Sequence, residues 1–471
     1  MTDVDTVARA AAAAFEATRT ATDAERAAWL AAIADRLDAA ADELVDLADA
    51  ETALGETRLR GEVARTTGQL RLFGQVVVEG SYLEATIDHA APDATPPRPD
   101  LRRMLRPLGP VAVFAASNFP FAFSVAGGDT ASALAVGCPV VVKTHPGHPR
   151  TSRRTAELVT EALAAAGAPA GAFAIVEGFE EGLELVDHPA ITAVAFTGSL
   201  RGGRALHDRA AARPAPIPFF GELGSINPVV VTAEADATRG ADLAAGLAGS
   251  FQLGAGQFCT KPGVVFVPEG SALEAALPAL VGDGTPRLLT PAITEGFGTG
   301  VERVREVPGV DLVAGGAPGA PVVAATDAAT LAAHEHELLA EVFGPFTLLV
   351  RYSSRSELRA ALDRLEGTLT ATLHAAPGEP VDDVLPRLEA ISGRVLFAGW
   401  PTGVAVTWSQ HHGGPWPATT SQHTSVGATA VRRFLRPIVF QDAPDEVLPA
   451  ALREANPRGI PRRVDGVAQP A

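Results

Sequence analysis

The sequence predicts an α/β fold in two domains, each built around an open sheet of mostly parallel strands. The chain has 471 residues, which is more than one ordinary hydrophobic core accommodates. From about residue 110 onward, short apolar runs alternate with stretches that suit helices. This alternation is typical of parallel β-α-β units, in which helices cover both faces of the sheet.

The region before residue 80 is predicted to be helical. Ala, Leu, Glu and Arg recur there at helical spacing, and Thr22 followed by Asp23 is a suitable helix start. The Pro-rich stretch 91–100 is expected to be a linker or an exposed excursion. The expected helices span residues 4–16, 22–50 and 56–78.

Two sets of apolar runs supply the expected strands. A nucleotide is expected at the carboxyl ends of the first set, because open parallel sheets bind their ligands there. The first set comprises residues 111–116, 139–143, 172–178 and 193–198. The second set comprises residues 227–232, 263–267, 346–352, 369–375 and 393–399.

Composition and charge exclude several classes of protein. Hydrophobic residues make up 47% and charged residues 20% of the chain, as in ordinary globular proteins. The formal net charge of −17 argues against a nucleic-acid partner, because phosphate binding needs a basic surface. The two cysteines can form neither a metal cage nor a disulfide framework, so no metal is expected.

The start of the chain lacks the basic and apolar regions of a secretory signal. The apolar run 111–125 is interrupted by polar residues and is too short to cross a bilayer. We therefore expect a cytoplasmic protein without a membrane partner.

Cys259, in the segment GAGQFCTKP (254–262), is a candidate nucleophile. The glycines before it allow the backbone to approach a ligand and leave the sulfur accessible. A thiolate at this position could attack a carbonyl group. The alternative is a buried free cysteine that acts as a small hydrophobic residue, which is how we interpret Cys138.

Glu222 and Asn118 are candidate partners of this thiol. Glu222 ends an apolar run, so its carboxylate is expected at a strand end, where burial could raise its pKa and make it a general base. Asn118 follows the first expected strand, and its amide could donate a hydrogen bond to an oxyanion. Taken singly, a solvated or helix-capping glutamate and an ordinary turn asparagine stay open as alternatives.

Two segments could bind a nucleotide. Lys143 ends the run VVVK and could reach a ribose or a phosphate. The segment FTGSLRGGRAL (196–206) passes from a strand through a Gly-Ser turn into a helix, whose first N–H groups could face a diphosphate. The G-x-G-x-x-G fingerprint of dinucleotide-binding domains is missing there, so this segment by itself does not establish a cofactor.

Six motifs follow one another along the chain. They are SNFP (117–120), VVVK (140–143), FTGSLRGG (196–203), ELG (222–224), GQFCT (256–260) and EVFGP (341–345). Together they resemble the motifs of the aldehyde dehydrogenase superfamily. The resemblance implies Cys259 as nucleophile, Glu222 as the base that activates water, and Asn118 as the oxyanion donor. It also implies oxidation of an aldehyde to a carboxylic acid through a thioester, with NAD or NADP as cofactor.

The resemblance further implies the residues that hold the cofactor. Many NAD-preferring relatives carry a glutamate three residues after the lysine, and here that position is Pro146. Nothing acidic would repel a 2′-phosphate, and Thr144, His145 and Arg201 could help to bind one. We therefore predict that NADP is used at least as well as NAD. The other implied cofactor residues are Lys143 at the adenosine ribose, Gly198, Ser199 and Gly203 at the diphosphate, Glu341 at the nicotinamide ribose, and Phe343 near the nicotinamide.

Residues 117–149, 221–231 and 401–427 show a closer resemblance. They resemble the 2-oxoglutarate semialdehyde dehydrogenases, which oxidise 2,5-dioxopentanoate to 2-oxoglutarate. A fatty-aldehyde branch shares part of this pattern, so fatty and other aldehydes or semialdehydes stay open as substrates. Two other classes stay open: a non-redox thiol hydrolase or acyl transferase using Cys259, and a catalytically silent protein. Candidate substrate residues are Phe121, Gln257 and Trp400, with Phe123, Trp408, His412, Arg103 and Ser409 as further possibilities.

The resemblance also implies two Rossmann-like α/β domains and a small β oligomerisation element. Residues 1–80 and 104–224 would form the NAD(P)-binding domain, and residues 225–417 the catalytic domain. Residues 81–103 and 418–445 would form the oligomerisation element of a homodimer or homotetramer. In the alternative, its C-terminal strand closes the chain's own sheet. Residues 446–471 are expected to be a loosely held tail.

Overall fold

The structure, a computed structural model, describes residues 3–470, and four helices form its beginning. Thr22 caps the second helix in a capping box, in which its hydroxyl accepts the Glu25 amide and the Glu25 carboxylate accepts the Thr22 amide. The expected single helix over residues 22–50 is wrong, because the helix breaks at Ala40, where no Gly or Pro marks the break. The helices are α1 (Val4–Thr20), α2 (Asp23–Ala39), α3 (Ala41–Thr52) and α4 (Glu56–Glu79).

A two-stranded excursion follows the helices. Its strands are β1 (Thr86–Asp88) and β2 (Leu101–Pro107), which pair antiparallel with Thr86 opposite Arg103. The Pro-rich residues between them are mostly exposed, which confirms the expected excursion.

The first α/β unit contains a five-stranded parallel sheet whose strands are runs of buried Val, Ala and Phe. Such runs suit strands that are covered by helices on both faces. In chain order its elements are β3 (Val111–Phe114), α5 (Gly128–Ala135), β4 (Val140–Lys143), α6 (Pro149–Ala165), β5 (Phe173–Val176), α7 (Phe179–Asp187), β6 (Ala193–Thr197), α8 (Leu200–Ala211) and β7 (Phe219–Glu222). The strand order β5-β4-β3-β6-β7 reverses direction next to β3, which creates a crevice at the carboxyl ends.

The second α/β unit contains a seven-stranded sheet. Its elements are β8 (Val229–Val231), α9 (Ala233–Phe251), β9 (Val264–Pro268), α10 (Ala272–Ala276), α11 (Pro291–Arg305), β10 (Asp311–Ala314), β11 (Val322–Asp327), α12 (Ala328–Ala333), α13 (Glu335–Leu338), β12 (Phe346–Tyr352), α14 (Arg355–Leu362), β13 (Ala371–His374), α15 (Leu385–Ile391) and β14 (Val395–Phe397). The order is β10-β11-β12-β9-β8-β13-β14, and only the β10–β11 pair is antiparallel among these strands. The predicted fold class of two Rossmann-like units is confirmed. The sequence analysis did not identify β10 and β11.

The end of the chain completes the sheet begun by the excursion. Its strands are β15 (Leu435–Gln441), β16 (Arg462–Val464) and β17 (Val467–Gln469), and the sheet order is β15-β2-β1-β16-β17. The expected loosely held tail is wrong, because Leu448, Leu452 and Ile460 are buried in the core that contains α2 and α4. Within residues 3–470, no helix combines the length and apolarity needed to span a membrane.

Candidate active site

Cys259 lies on a loop that the fold holds from two sides. A Cβ on Gly256, whose φ is 67°, would stand 2.2 Å from the Gly344 carbonyl oxygen, so this close approach requires glycine. On the other side, the Asn227 side-chain amide donates to the carbonyl oxygens of Cys259 and Lys261, at 2.8 and 2.9 Å. The position of the thiol is therefore well defined.

Asn118 reaches the same loop from the end of β3. Its buried Nδ2 donates to the Gln257 carbonyl oxygen at 3.0 Å. Arg58 of α4 donates to the backbone carbonyl of Asn118 at 2.6 Å and so holds the turn from behind. One N–H of the amide is used in the contact with Gln257, and the other is available to an oxyanion.

His412 connects Glu222 and Cys259. Its Nε2 lies 3.5 Å from Cys259 Sγ and 2.9 Å from Glu222 Oε1. Ser425 Oγ donates to the other carboxylate oxygen of Glu222 at 2.7 Å. Glu222 and His412 are each 1% exposed, so water does not screen their interaction. The sequence analysis named His412 only as a further tunnel residue, because it lies 153 residues from Cys259 in the chain.

The charge state of Glu222 differs from the expected one. Burial favours the neutral acid, but the charge interaction and hydrogen bond with His412, together with Ser425 and Arg433, outweigh burial and lower the pKa of Glu222 to about 2. The expected rise of this pKa is wrong, and the carboxylate is held ionised. Burial and the negative charge of Glu222 raise the pKa of the Cys259 thiol well above its ordinary value of 9.0, so the sulfur rests as a thiol.

Residues 418–428, expected to lie in the oligomerisation element, contact this site. They pass across the end of β7, where the Leu223 amide donates to the Ala418 carbonyl oxygen at 2.8 Å. The His412 amide donates to Thr424 Oγ1 at 2.7 Å, and Ser425 binds the carboxylate of Glu222. The catalytic residues therefore continue beyond the expected boundary at residue 417.

The residues expected to contact the adenosine end lie at the carboxyl end of β4. Lys143 is half-buried, and this burial lowers its pKa. The buried hydroxyl of Thr144 donates to the Val176 carbonyl oxygen at 3.5 Å. Burial and two basic neighbours lower the pKa of His145 to about 3, so its ring is neutral. Arg201 is exposed at the start of α8. Among the three residues at the end of β4, Lys143 alone offers a cation to a phosphate.

The turn between β6 and α8 forms a cradle of the kind that a diphosphate needs. Ser199 caps α8, and its hydroxyl accepts the Gly202 amide at 3.2 Å. A Cβ on Gly203 would stand 2.1 Å from Leu223 Cδ2, and one on Gly198 would stand 2.7 Å from the ring of Phe196. The glycines thus allow the start of α8 to pack closely, while the amides of Leu200 and Arg201, ahead of the capped Gly202 amide, stay open to a ligand.

The motif EVFGP brings Glu341 and Phe343 to the same crevice. A Cβ on Gly224 would stand 2.6 Å from Glu341 Oε2, so the carboxylate reaches the end of β7. Burial raises the pKa of Glu341 to about 7, against the opposing charge of Lys261. Phe343 is half-buried two residues farther along. The cradle and these side chains together fit a dinucleotide.

The phenylalanines after Asn118 divide between the core and the site. Phe121 is 2% exposed and packs in the core beside α4, so its expected place in the substrate tunnel is corrected. Phe119 meets Phe258 edge to face with centroids 5.3 Å apart, and Phe123 lies 6.2 Å from the His412 ring. Phe119 and Phe123 therefore lie near the reacting groups.

The other expected substrate residues are also placed elsewhere. The Gln257 side chain accepts the Leu289 amide at 2.9 Å, so it braces the cysteine loop. Trp400 packs on His374 with centroids 4.6 Å apart. Arg103 has a 45% exposed side chain and lies in the excursion sheet.

Two arginines of α4 approach the site, and the sequence analysis did not identify them. The Arg58 guanidinium carbon lies 4.6 Å from the centroid of Phe258, and that of Arg65 lies 5.2 Å from the centroid of Phe123. Their spacing of seven residues places both on one face of the helix. Three of their guanidinium nitrogens are buried without a hydrogen-bond partner in the described part of the chain, namely Nε and Nη1 of Arg58 and Nη1 of Arg65. Buried guanidinium N–H groups without partners indicate a site for an anion.

A half-buried thiol, an amide donor and an ionised carboxylate lie beside a crevice that suits a dinucleotide, a combination typical of oxidoreductases that work through a covalent thiol adduct. The chain belongs to the aldehyde dehydrogenase family, whose profile, described as "Aldehyde dehydrogenase family", it matches over residues 1–415. It is therefore an oxidoreductase that acts on the aldehyde group, and the family uses NAD(P) as cofactor.

Two relatives match almost the whole chain. "Alpha-ketoglutaric semialdehyde dehydrogenase 2" of Azospirillum brasilense is 47% identical over 487 residues, which cover 99% of this chain and 92% of the relative. "Alpha-ketoglutaric semialdehyde dehydrogenase" of Acinetobacter baylyi is 42% identical over 481 residues, with coverage of 99% and 91%. Among solved structures, succinic semialdehyde dehydrogenase from Streptococcus pyogenes, in complex with NADP+ as the cofactor, has a TM-score of 0.78 at 20% identity, with coverage of 93% and 95%. That likeness concerns the fold alone.

Proposed function

We propose that this enzyme oxidises 2,5-dioxopentanoate, the semialdehyde of 2-oxoglutarate, to 2-oxoglutarate. The buried guanidinium nitrogens of Arg58 and Arg65 that lack partners among the described residues carry the proposal, because a substrate with a carboxylate at the end opposite its aldehyde would supply the missing acceptors. The two relatives that are 47% and 42% identical bear the corresponding name.

Catalysis begins at Cys259 in this proposal. Its sulfur adds to the aldehyde carbon while the thiol proton passes to the pair of His412 and Glu222, which lies 3.5 Å from the sulfur. The free N–H of Asn118 and the Cys259 amide stabilise the resulting alkoxide. The pair then releases that proton to solvent. After oxidation, the carboxylate of Glu222, again ionised, deprotonates the water that hydrolyses the thioester on Cys259.

The cofactor residues of this proposal are Lys143, Gly198, Ser199, Gly203 and Glu341, with Phe343 beside the nicotinamide. When bound, the nicotinamide supplies the oxidant. We propose that NADP serves at least as well as NAD, because Pro146 stands where an acidic residue would repel a 2′-phosphate.

We propose that residues 1–80 and 104–224 bind the cofactor and that residues 225–417, with 418–428, form the catalytic part. The excursion sheet with β15 is proposed to join copies of the chain into a homodimer or homotetramer. A cytoplasmic location is proposed because a reducing compartment keeps the Cys259 thiol free.

The experiment compares kcat/KM for 2,5-dioxopentanoate and for pentanal, with NADP and with NAD. We expect Arg58→Met and Arg65→Met to lower kcat/KM for the acidic substrate by about 10- to 100-fold each, since a hydrogen bond to a charged group is worth about 1.5–3 kcal/mol. Arg60→Met is the control, because Arg60 lies on α4 but pairs with Asp42 and Glu56 at the surface.

Equal losses on both aldehydes would mean that the arginines support the Asn118 turn and do not bind substrate. A wild-type preference for pentanal or for long-chain aldehydes would refute the proposed substrate. No cofactor reduction with any aldehyde would refute the whole proposal.

A further inference from the structure

Three different metal-ligand atoms converge at the active site. Cys259 Sγ, a His412 ring nitrogen and a Glu222 carboxylate oxygen all lie within 4.8 Å of one another. In residues 3–470 no other such trio of His, Cys, Asp or Glu ligand atoms occurs. We propose that these three side chains form a zinc site and that zinc is a reversible inhibitor of the enzyme.

The distances suit a tetrahedral ion. Zinc bonds of about 2.0–2.3 Å at tetrahedral angles place neighbouring ligand atoms roughly 3.4–3.6 Å apart. Sγ and Nε2 are already 3.5 Å apart, while Nε2 and Oε1 are 2.9 Å apart. Zinc therefore needs the contact between His412 and Glu222 to open by well under 1 Å, and it needs Sγ and the carboxylate oxygen, which lie within 4.8 Å, to stand at a similar separation. Side-chain rotation provides both adjustments.

The chemistry of the donors also suits zinc. Thiolate, imidazole and carboxylate are its usual protein ligands, and three of them leave a fourth position open for water. One thiolate and one carboxylate carry two negative charges, which cancel the charge of Zn²⁺, so the buried complex is neutral overall. Two cysteines in the chain predicted no metal, but this site needs only one of them, because His412 and Glu222 supply the other ligands.

Outer hydrogen bonds hold two of the ligands in place. Ser425 Oγ donates to the second carboxylate oxygen of Glu222 at 2.7 Å. The backbone of His412 is fixed on both sides, since its amide donates to Thr424 Oγ1 at 2.7 Å and its carbonyl accepts the Ser425 amide at 2.9 Å. Such outer contacts orient metal ligands and lower the entropic cost of binding.

Zinc binding exchanges protons and transfers no electrons. The S–H bond of Cys259 breaks as the Zn–S bond forms, and the proton shared by His412 and Glu222 also leaves for solvent. The coordinated sulfur cannot add to an aldehyde, and the coordinated carboxylate cannot deprotonate water. Removal of the metal by a chelator restores both groups, so inhibition is reversible.

The test titrates the full-length enzyme with Zn²⁺ against a chelating dye and with Co²⁺ as a spectroscopic probe. We expect one metal ion per chain, a thiolate-to-cobalt absorbance band, parallel loss of aldehyde oxidation, and full recovery with EDTA. His412→Gln should raise the Kd for zinc by at least about 100-fold, since loss of even an outer partner costs about 10- to 100-fold.

Two variants serve as controls. His411→Gln alters the adjacent half-buried histidine, and Cys138→Ser removes the other thiol, so both should leave the Kd within about twofold of wild type. If His412→Gln fails to fold by circular dichroism, Glu222→Gln supplies the same comparison.

The proposal is overturned if zinc half-inhibits a folded His412→Gln or Glu222→Gln variant at the same concentration as the wild-type enzyme. Cobalt binding without the thiolate band would do the same. The cobalt band needs no aldehyde, so this result is independent of the proposed substrate.

Discussion

Replacing His412 by glutamine should raise the pKa of Glu222 from about 2 to above its ordinary value of 4.5. Glutamine keeps an N–H near the carboxylate but removes the charge interaction with His412, which is the largest influence that opposes burial at this site. With that interaction gone, burial favours the neutral acid and the general base becomes protonated at mildly acidic pH.

The size of the effect follows from the lowered pKa. A fall from 4.5 to about 2 corresponds to about 3 kcal/mol in favour of the carboxylate. Because the folded-state pKa lies below the unfolded value, this stabilisation is complete above pH 4.5 and is lost as the pH falls toward about 2. At neutral pH the variant should lose up to about 3 kcal/mol in the free energy of unfolding, measured with urea.

The kinetic assay follows steady-state turnover from about pH 5 to about pH 8, with the burst of reduced cofactor measured at each pH. Wild-type turnover should not fall toward acid pH through protonation of Glu222 in this range, so its pH profile should have no acid limb from this residue. His412→Gln should keep the burst but lose turnover toward acid, because hydrolysis of the thioester needs the carboxylate. Glu222→Gln should show the burst, slow turnover and no such limb.

His411→Gln is the control for a change beside the site. If the acid limb of His412→Gln coincides with that of wild type and of His411→Gln, another group holds Glu222 ionised. In that case the role assigned here to His412 in setting this charge is refuted.

Two further predictions concern other parts of the chain. Cys259→Ala should abolish oxidation while NADP binding stays measurable by calorimetry, and Cys138→Ser should stay active; turnover by the alanine variant would disprove a thiol mechanism. Burial lowers the pKa of His374 to about 4 from 6.5, and its ring nitrogens lack partners among the described residues. Its neutral ring therefore gives full stability above pH 6.5, and about 3 kcal/mol is lost as the pH falls from 6.5 to about 4. Urea midpoints across this range should fall less steeply for His374→Leu, and equal slopes would contradict this reasoning.

The sequence predicted the parts of the fold that long, uniform patterns encode. Runs such as VVVK and FTLLVRY are mostly apolar, so they predicted buried parallel strands near their observed positions. The tail was missed because its strands contain only three residues each, and Arg462 and Arg463 resemble surface residues. A strand of three residues is too short to show the alternation of apolar and polar residues from which strands are predicted.

The site was predictable only where neighbours in sequence act together. Asn118 and Cys259 lie in short motifs, and the structure brings their two loops into contact. Arg58 and Arg65 look like the polar face of an amphipathic helix, and only the packing of α4 against Phe119, Phe123 and Phe258 turns that face inward. The role of His412 depends on a contact across 153 residues, which no local pattern encodes.

The order β15-β2-β1-β16-β17 has a consequence for how the chain is made. Strands β1 and β2 leave the ribosome early. The outer edge of β2 pairs with β15 and that of β1 with β16, and both partners lie near the end of the chain. Strand β16 follows β1 by about 380 residues. At the usual rate of synthesis, the two early strands present unpaired edges for tens of seconds. Such edges pair readily with other chains, so this short hairpin is open to mispairing until β15 and β16 have been synthesised.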